Sequence, residues 1–337
     1  MRRDDLEEGL YGVFDRDHLA VYADELQRDG DPRGELITID LHTEERGESL
    51  ELMEQRRAIL ADLLGADVAA HPMVRCRYGF IDLVDAPMHS DEASEAAVAA
   101  VEAVLRGDMG RFVRSAVFVG TTERVRDMLI ALAEQPRPFL NRLAIRGQSW
   151  LNRVDLSPEL VASVSGALPR LHTLEVSGRR VVPMVVFPTV QHLIASGYDV
   201  VAALRPGPAT PVCFPRVGSL DLGCGWPPGM VDRDGLLPAV QLPQVTRLDV
   251  LRCDQPAGPD PDVFRFLRTL SIAEQLEWLR VPAVRTDEQA LNLQAAIDRM
   301  PHLAELEIQG HYAPQARPLR HEVAQIRLPP PPAPDPE

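Results

Sequence analysis

Two groups of residues have the types and spacing for chemistry. The first lies near the N-terminus, where Asp24, Asp31, Arg33 and Glu35 fall close together. Carboxylates beside an arginine can serve as acid and base or hold a metal ion. The same residues can instead pin a turn through local hydrogen bonds and charge pairing. The second group is Arg247, Asp249, Trp278, Arg280, Glu305 and Glu307. A tryptophan beside arginines is the combination enriched at protein-binding hot spots. A single enzyme pocket would concentrate such groups, whereas these acids and arginines are spread along a surface.

Other chemistries are excluded by composition or spacing. All 35 basic residues are arginine, which removes P-loop, Schiff-base and kinase-type phosphate lysines. Cys76, Cys213, Cys224 and Cys253 form no C-x-x-C pair and have no His at metal-ligand spacing, so they read as free thiols. Gly223-Cys224-Gly225-Trp226-Pro227-Pro228-Gly229 has the wrong spacing for a dinucleotide loop, and its prolines lack the amide donors a phosphate needs. His321-Glu322 lacks the second His of a zinc helix, and Asp232-Arg233-Asp234-Gly235 is too short for a calcium loop. No G-x-S-x-G occurs. The expectation is a protein with no catalytic residues, no cofactor and no metal.

The elements that position the second group recur down the chain. Val245-Thr246-Arg247-Leu248-Asp249-Val250 has apolar residues at its first, fourth and sixth places. As a strand it buries Leu248 and Val250 on one face and shows Arg247 and Asp249 on the other. The pattern returns with its fourth place at Ala116, Leu143, Leu174, Leu193, Leu220, Leu279, Leu306 and Ile326, at intervals of 19 to 31 residues. Six copies carry a proline two residues before the first place: Pro138, Pro169, Pro188, Pro215, Pro243 and Pro301. The outward places hold Arg142, Arg146, Glu175, His192, Asp221 and Arg327 besides the second group.

Repeats with the core L-x-x-L-x-L over residues 110–328 resemble leucine-rich repeats, each of which adds one parallel strand to a solenoid. The chain departs at the ninth place, where the family uses Asn or Cys in a buried turn. Here stand Thr121, Gln148, Arg179, Tyr198, Gly225, Cys253, Val284 and His311, so the turns are expected to be irregular.

Ahead of the repeats, Leu19, Tyr22, Ala23 and Leu26 fall on one helical face, and Asp31-Pro32-Arg33-Gly34 then reads as a type I turn. A second helix is expected from about Glu35 and a third from Ser49 to Leu64. The run Tyr22-Ala23-Asp24-Glu25-Leu26 followed by Gly30-Asp31-Pro32-Arg33-Gly34-Glu35 resembles the bacterial repeat-companion domain, with Glu25 where that family usually has Trp. Such modules typically precede leucine-rich or related repeats. Residues 72–84 read as a strand or hairpin and 91–106 as a helix, together capping the first repeat. Thr122, Ser157 and Thr286 are expected to cap helices inside the array.

The fold class expected is therefore α/β: an open solenoid of irregular leucine-rich-type repeats with a small helical N-terminal domain. The expected divisions are a helical domain over 1–68, a strand and helix cap over 69–108, repeats over 109–328 and a proline-rich tail over 329–337. The 30 prolines concentrate from residue 183 onward and predict extended connections there. A net charge of −15 argues against a generic nucleic-acid or anionic-membrane binder. No apolar run approaches the ~18 residues of a membrane span, and no signal core is visible, which reads as cytoplasmic. The expected function is non-enzymatic recognition of a protein partner by a monomer, on the sheet face around Arg247, Asp249, Trp278, Arg280, Glu305 and Glu307. The alternatives are an enzyme or metal site built on the N-terminal acids, and an acidic immunity-type or regulatory inhibitor of a basic partner.

Overall fold

The computed structural model describes residues 3–11, 14–86, 92–147, 154, 156–177, 185–196, 212–223, 242–250, 263–309 and 325–327. The residues after Gly223 in the glycine-rich loop, the Asp232–Gly235 turn, Cys224, Cys253, His321-Glu322 and the 329–337 tail lie outside them, as do Gln148, Arg179, Tyr198, Gly225 and His311. The protein is mixed α/β with a mostly parallel sheet that does not close on itself. Two compact units divide the chain, Met1–Gln148 with Leu156–Leu174, and Ser149–Asp155 with Glu175–Glu337.

The first unit begins with α1 (Arg3–Gly9), α2 (Arg16–Arg28), α3 (Arg33–Arg46), α4 (Leu50–Leu64) and the short α5 (Ala66–Ala69). Asp15 starts α2 by accepting from the His18 amide at 2.9 Å, and Leu19, Tyr22, Ala23 and Leu26 are its buried face. The turn into α3 closes through the Gly34 amide on the Asp31 carbonyl at 3.0 Å, with Pro32 at φ −64°. Its helix begins at Arg33, two residues before the position expected. Ser49 caps α4, at the expected start of that helix.

Next, β1 (Val74–Arg77) and β2 (Phe80–Ala86) form an antiparallel hairpin. Tyr78 and Gly79 have φ of 52° and 68°, the two left-handed residues of a tight hairpin turn. That conformation is unfavourable for a tyrosine. It is held by α3, where Asp40 accepts from the Tyr78 amide and Glu44 from its hydroxyl. A side chain at Gly79 would also press on Arg33, whose Cβ and carbonyl lie 3.0 Å from the added carbon.

After α6 (Glu92–Arg106) and a 3-10 turn at Asp108–Phe112, β3 (Ser115–Gly120), α7 (Thr122–Ala133), β4 (Arg142–Gly147) and α8 (Pro158–Ala167) complete this unit. The order is β1-β2-β3-β4, parallel from β2 onward. Thr121, not Thr122, precedes α7, and its side chain makes no cap bond. Ser157 does cap α8, ahead of Pro158. The rings of Phe14, Tyr22, Phe80, Phe112 and Phe139 cluster with neighbouring centroids 5.0–6.3 Å apart.

One buried cation organises the helix ends. Arg137 is fully buried, and its guanidinium donates to the Leu105, Ala131 and Leu132 carbonyls. Those carbonyls close α6 and α7, whose C-terminal dipole ends favour a cation. Burial pushes the Arg137 pKa down to about 10, which leaves it charged at neutral pH.

The boundary between the units falls within β5 (Thr173–Ser177). The second unit then runs β6 (His192–Ser196), β7 (Ser219–Gly223), β8 (Arg247–Asp249), α9 (Val263–Leu267), β9 (Trp278–Pro282), α10 (Asp287–Ile297), β10 (Glu305–Gln309) and β11 (Gln325–Arg327). Its strands lie in sequence order and all pair in parallel. The fourth places meet in register, Leu193 on Leu220, Leu248, Leu279 and Leu306, and all are completely buried. Thr286 and Gln289 form the expected capping box of α10.

The prolines ahead of the pattern have a shared role. In five copies the amide at the first apolar place bonds back three residues: Leu140 to Arg137, Leu171 to Leu168, Val217 to Phe214, Val245 to Leu242 and Leu303 to Met300, at 3.1–3.4 Å. Each proline thus sits second in a closed β-turn, where its fixed φ suits the geometry. Backbone carbonyls ahead of the strands are also met by long side chains. Gln275 donates to Leu242 and Val245 at 2.7 and 2.9 Å, and Gln135 donates to Leu105 and Gly107.

Candidate functional site: the open sheet face of the second unit

Along each strand the fifth place points opposite the core leucines. At β3 to β6 these residues, Val117, Ala144, Glu175 and Ile194, are buried. The expectation that Glu175 is an outward, solvated group is therefore corrected, since only 3% of it is exposed. Apolar fifth places mark a sheet covered on both faces. From β7 on, the fifth places are Asp221, Asp249, Arg280 and Glu307, and all are half-buried. The open face begins there.

Two rows of side chains run across this face. Parallel register sets Arg247 beside Trp278 and Trp278 beside Glu305; one step along the strands, Asp249 faces Arg280 and Arg280 faces Glu307. The second row closes on itself: Arg280 pairs with Asp249 at 3.1 Å and with Glu307 at 2.9 Å. Burial works against the Arg280 cation, but the two carboxylates outweigh it and hold its pKa above the ordinary value. In the first row the Arg247 guanidinium lies 4.4 Å from the Trp278 ring centre, and that of Arg280 lies 5.2 Å from it. Trp278 is half-buried and Arg247 exposed. Near the start of the face, His192 Nε2 lies 3.1 Å from an Asp221 carboxylate oxygen.

All six residues singled out on the repeats are thus on adjoining strands of one unit. No family model matches the chain, and no curated protein matches it. Function has to be read from the residues.

The N-terminal group separates. Arg33 is buried, forks onto Asp31 with Nε at 3.0 Å, and stacks its guanidinium 3.6 Å from the Phe112 ring centre. Burial alone would raise the Asp31 pKa, but hydrogen bonds and charge from Arg33, with help from Arg3, hold it below the ordinary value. Asp24 is exposed on α2, and Glu35 accepts from Gln55 on α4. Among the described residues no three His, Cys, Asp or Glu side chains gather as a metal site. Burial pushes the Cys76 thiol up to about 11, away from nucleophilic use at neutral pH. No described helix is long and apolar enough to cross a membrane.

A fourth acid of the N-terminal region, Glu7, carries no such signal in the sequence. It is buried and accepts from Tyr22 at 2.9 Å, Arg3 at 3.3 Å and Arg111 at 2.8 Å. Nothing in its neighbourhood along the chain signals that, because Arg111 arrives from far down the sequence.

Proposed function

We propose that this protein is a recognition scaffold, a solenoid of irregular leucine-rich-type repeats behind a repeat-companion module, which binds a protein partner on the face formed by β7 to β10. The observation that carries the reading is Trp278. A large aromatic held half-exposed between two arginines adds nothing to the leucine core beneath it, yet offers a partner a rigid contact surface. The internal pairing of Asp249, Arg280 and Glu307 supports the same reading, since it fixes the floor beside the ring before any partner arrives. The reading is non-enzymatic, and the N-terminal turn has a structural task that uses Asp31 and Arg33 locally.

The test begins with a pull-down from native cytoplasm to obtain a stoichiometric partner, followed by calorimetry. Trp278→Ala is expected to weaken that partner's binding by at least about 2 kcal/mol, the hot-spot range, while barely moving the melting temperature. Unchanged affinity would remove this face as the binding site.

A further inference from the structure

We infer that α4 is a dimerisation surface, on which two copies of this chain pair as antiparallel helices about a two-fold axis passing between Glu54 and Arg57. The inference is independent of the recognition face and replaces the monomer expected from the sequence.

One side of α4 is in use within the chain. Gln55 donates to Glu35, and Arg56 pairs with Asp40 at 2.7 Å, both on α3. Leu52, Ile59 and Leu63 share the Arg56 side of the helix and are half-buried. Yet Leu60 is the one fully buried residue of the 15.

The other side is open and largely apolar. Leu50, Met53, Arg57, Ala61 and Leu64 fall at i, i+3, i+7, i+11 and i+14, the spacing of a seam between paired helices. Leu50 is 74% exposed and Met53 44%, and Glu54 and Ala58 beside them are exposed as well. Large apolar side chains left in water along one strip of a helix mark an interaction surface.

What identifies the occupant is that the strip complements itself. In a two-fold pair the same surface meets itself reversed. With the axis between Glu54 and Arg57, Leu50 comes level with Ala61, Met53 with Ala58, and Glu54 with Arg57. Each large side chain meets a small one, and each carboxylate meets a guanidinium, twice over. Glu54 and Arg57 are both exposed and, among the described residues, neither has an ion-pair partner within the chain. The charges also select the register. An axis through Glu54 would set two carboxylates together, and one through Arg57 two guanidiniums, both of which are repulsive. The helix is about 22 Å long, so the contact is small and belongs to the reversible class of interface.

Sedimentation velocity on the full chain, from about 1 μM to about 1 mM, is expected to show monomer passing to dimer as concentration rises. Glu54→Arg and Arg57→Glu each bring like charges together at both contacts. Each should move that transition at least about tenfold higher in concentration. Both positions are exposed, so the melting curves should match the parent's. An equimolar mixture of the two variants restores opposite charges at both contacts, and should dimerise in the parent's concentration range as a heterodimer.

A parent that stays monomeric throughout, or a dimer indifferent to both substitutions, overturns the inference. So does a mixture that pairs no better than its separate components, since the register would then be wrong. The recognition reading stands or falls separately, on Trp278.

Discussion

Arg111 donates to Glu7 at 2.8 Å across 104 residues of sequence. The pair fastens α1 to the 3-10 turn that leads into β3. Because Glu7 is 3% exposed and also accepts from Arg3 and Tyr22, it is the single negative charge on which three donors converge. Removing one partner of a buried pair leaves the others unpaired, at a cost of several kcal/mol when burial is complete. Arg3 and Arg111 keep some access to water, so Glu7→Gln should cost less, about 2 kcal/mol, read from urea midpoints.

Asp31 gives a pH signature. Its folded pKa lies below the ordinary 3.8, so its contribution is complete above that value and is lost as pH falls through the folded pKa. Asp31→Asn should lose about 1–2 kcal/mol at neutral pH, since the fork to Arg33 is disrupted. The gap from the parent should hold from pH 5 to 8 and close in acid below about 3.8. A gap that instead opened in acid would mean that the Arg33 pairing does not govern Asp31.

Leu248 and Asp249 stand on opposite faces of β8. Leu248→Ala should cost about 2–5 kcal/mol, the range for a completely buried leucine. A solvated Asp249 would be nearly silent on removal. Its ion pair with Arg280 raises the expectation for Asp249→Ala to about 0.5–1 kcal/mol, smaller at high salt. Equal losses at the two positions would overturn the register.

Arg137 is the test of the buried helix-end cation. Arg137→Met keeps an apolar stem and orphans three carbonyls, so it should destabilise by about 3 kcal/mol or more in denaturant titrations. Gly110→Ala should be costly for the same reason. Its new carbon would sit 2.3 Å from an Arg137 nitrogen and 2.6 Å from the Leu105 carbonyl. A neutral Gly110→Ala would mean that both the arginine and the backbone at the end of α6 give way.

What the sequence made legible was periodic or local. The six-residue pattern located the in-register leucines, Ser49, Ser157 and the Thr286–Gln289 box marked helix starts, and Arg247, Trp278 and Glu305 were aligned by counting. The spacing of the six prolines was visible too, but the turn that five of them share shows only in the hydrogen bonds. Glu175 misled because a charged residue in an outward place normally means solvent, and burial of that place depends on what lies over the strand. The Phe112 ring under Arg33, the Leu105 carbonyl on Arg137 and the Arg111 partner of Glu7 lie tens of residues away in sequence. No window along the chain holds both halves of such a contact.

Arg56 of α4 reaches onto β1, the first strand of the sheet, and bears on what that edge offers a neighbour. Among the described residues β1 pairs only with β2, which makes it a strand whose outer groups could template a neighbouring molecule. Arg56, reaching from α4 and anchored on Asp40 at 2.7 Å, donates to the Cys76 carbonyl of that strand. Arg75 is exposed on β1, while the exposed Arg77 pairs with Glu44 of α3 at 2.6 Å. A second molecule approaching edge-on would meet a carbonyl already bonded to Arg56.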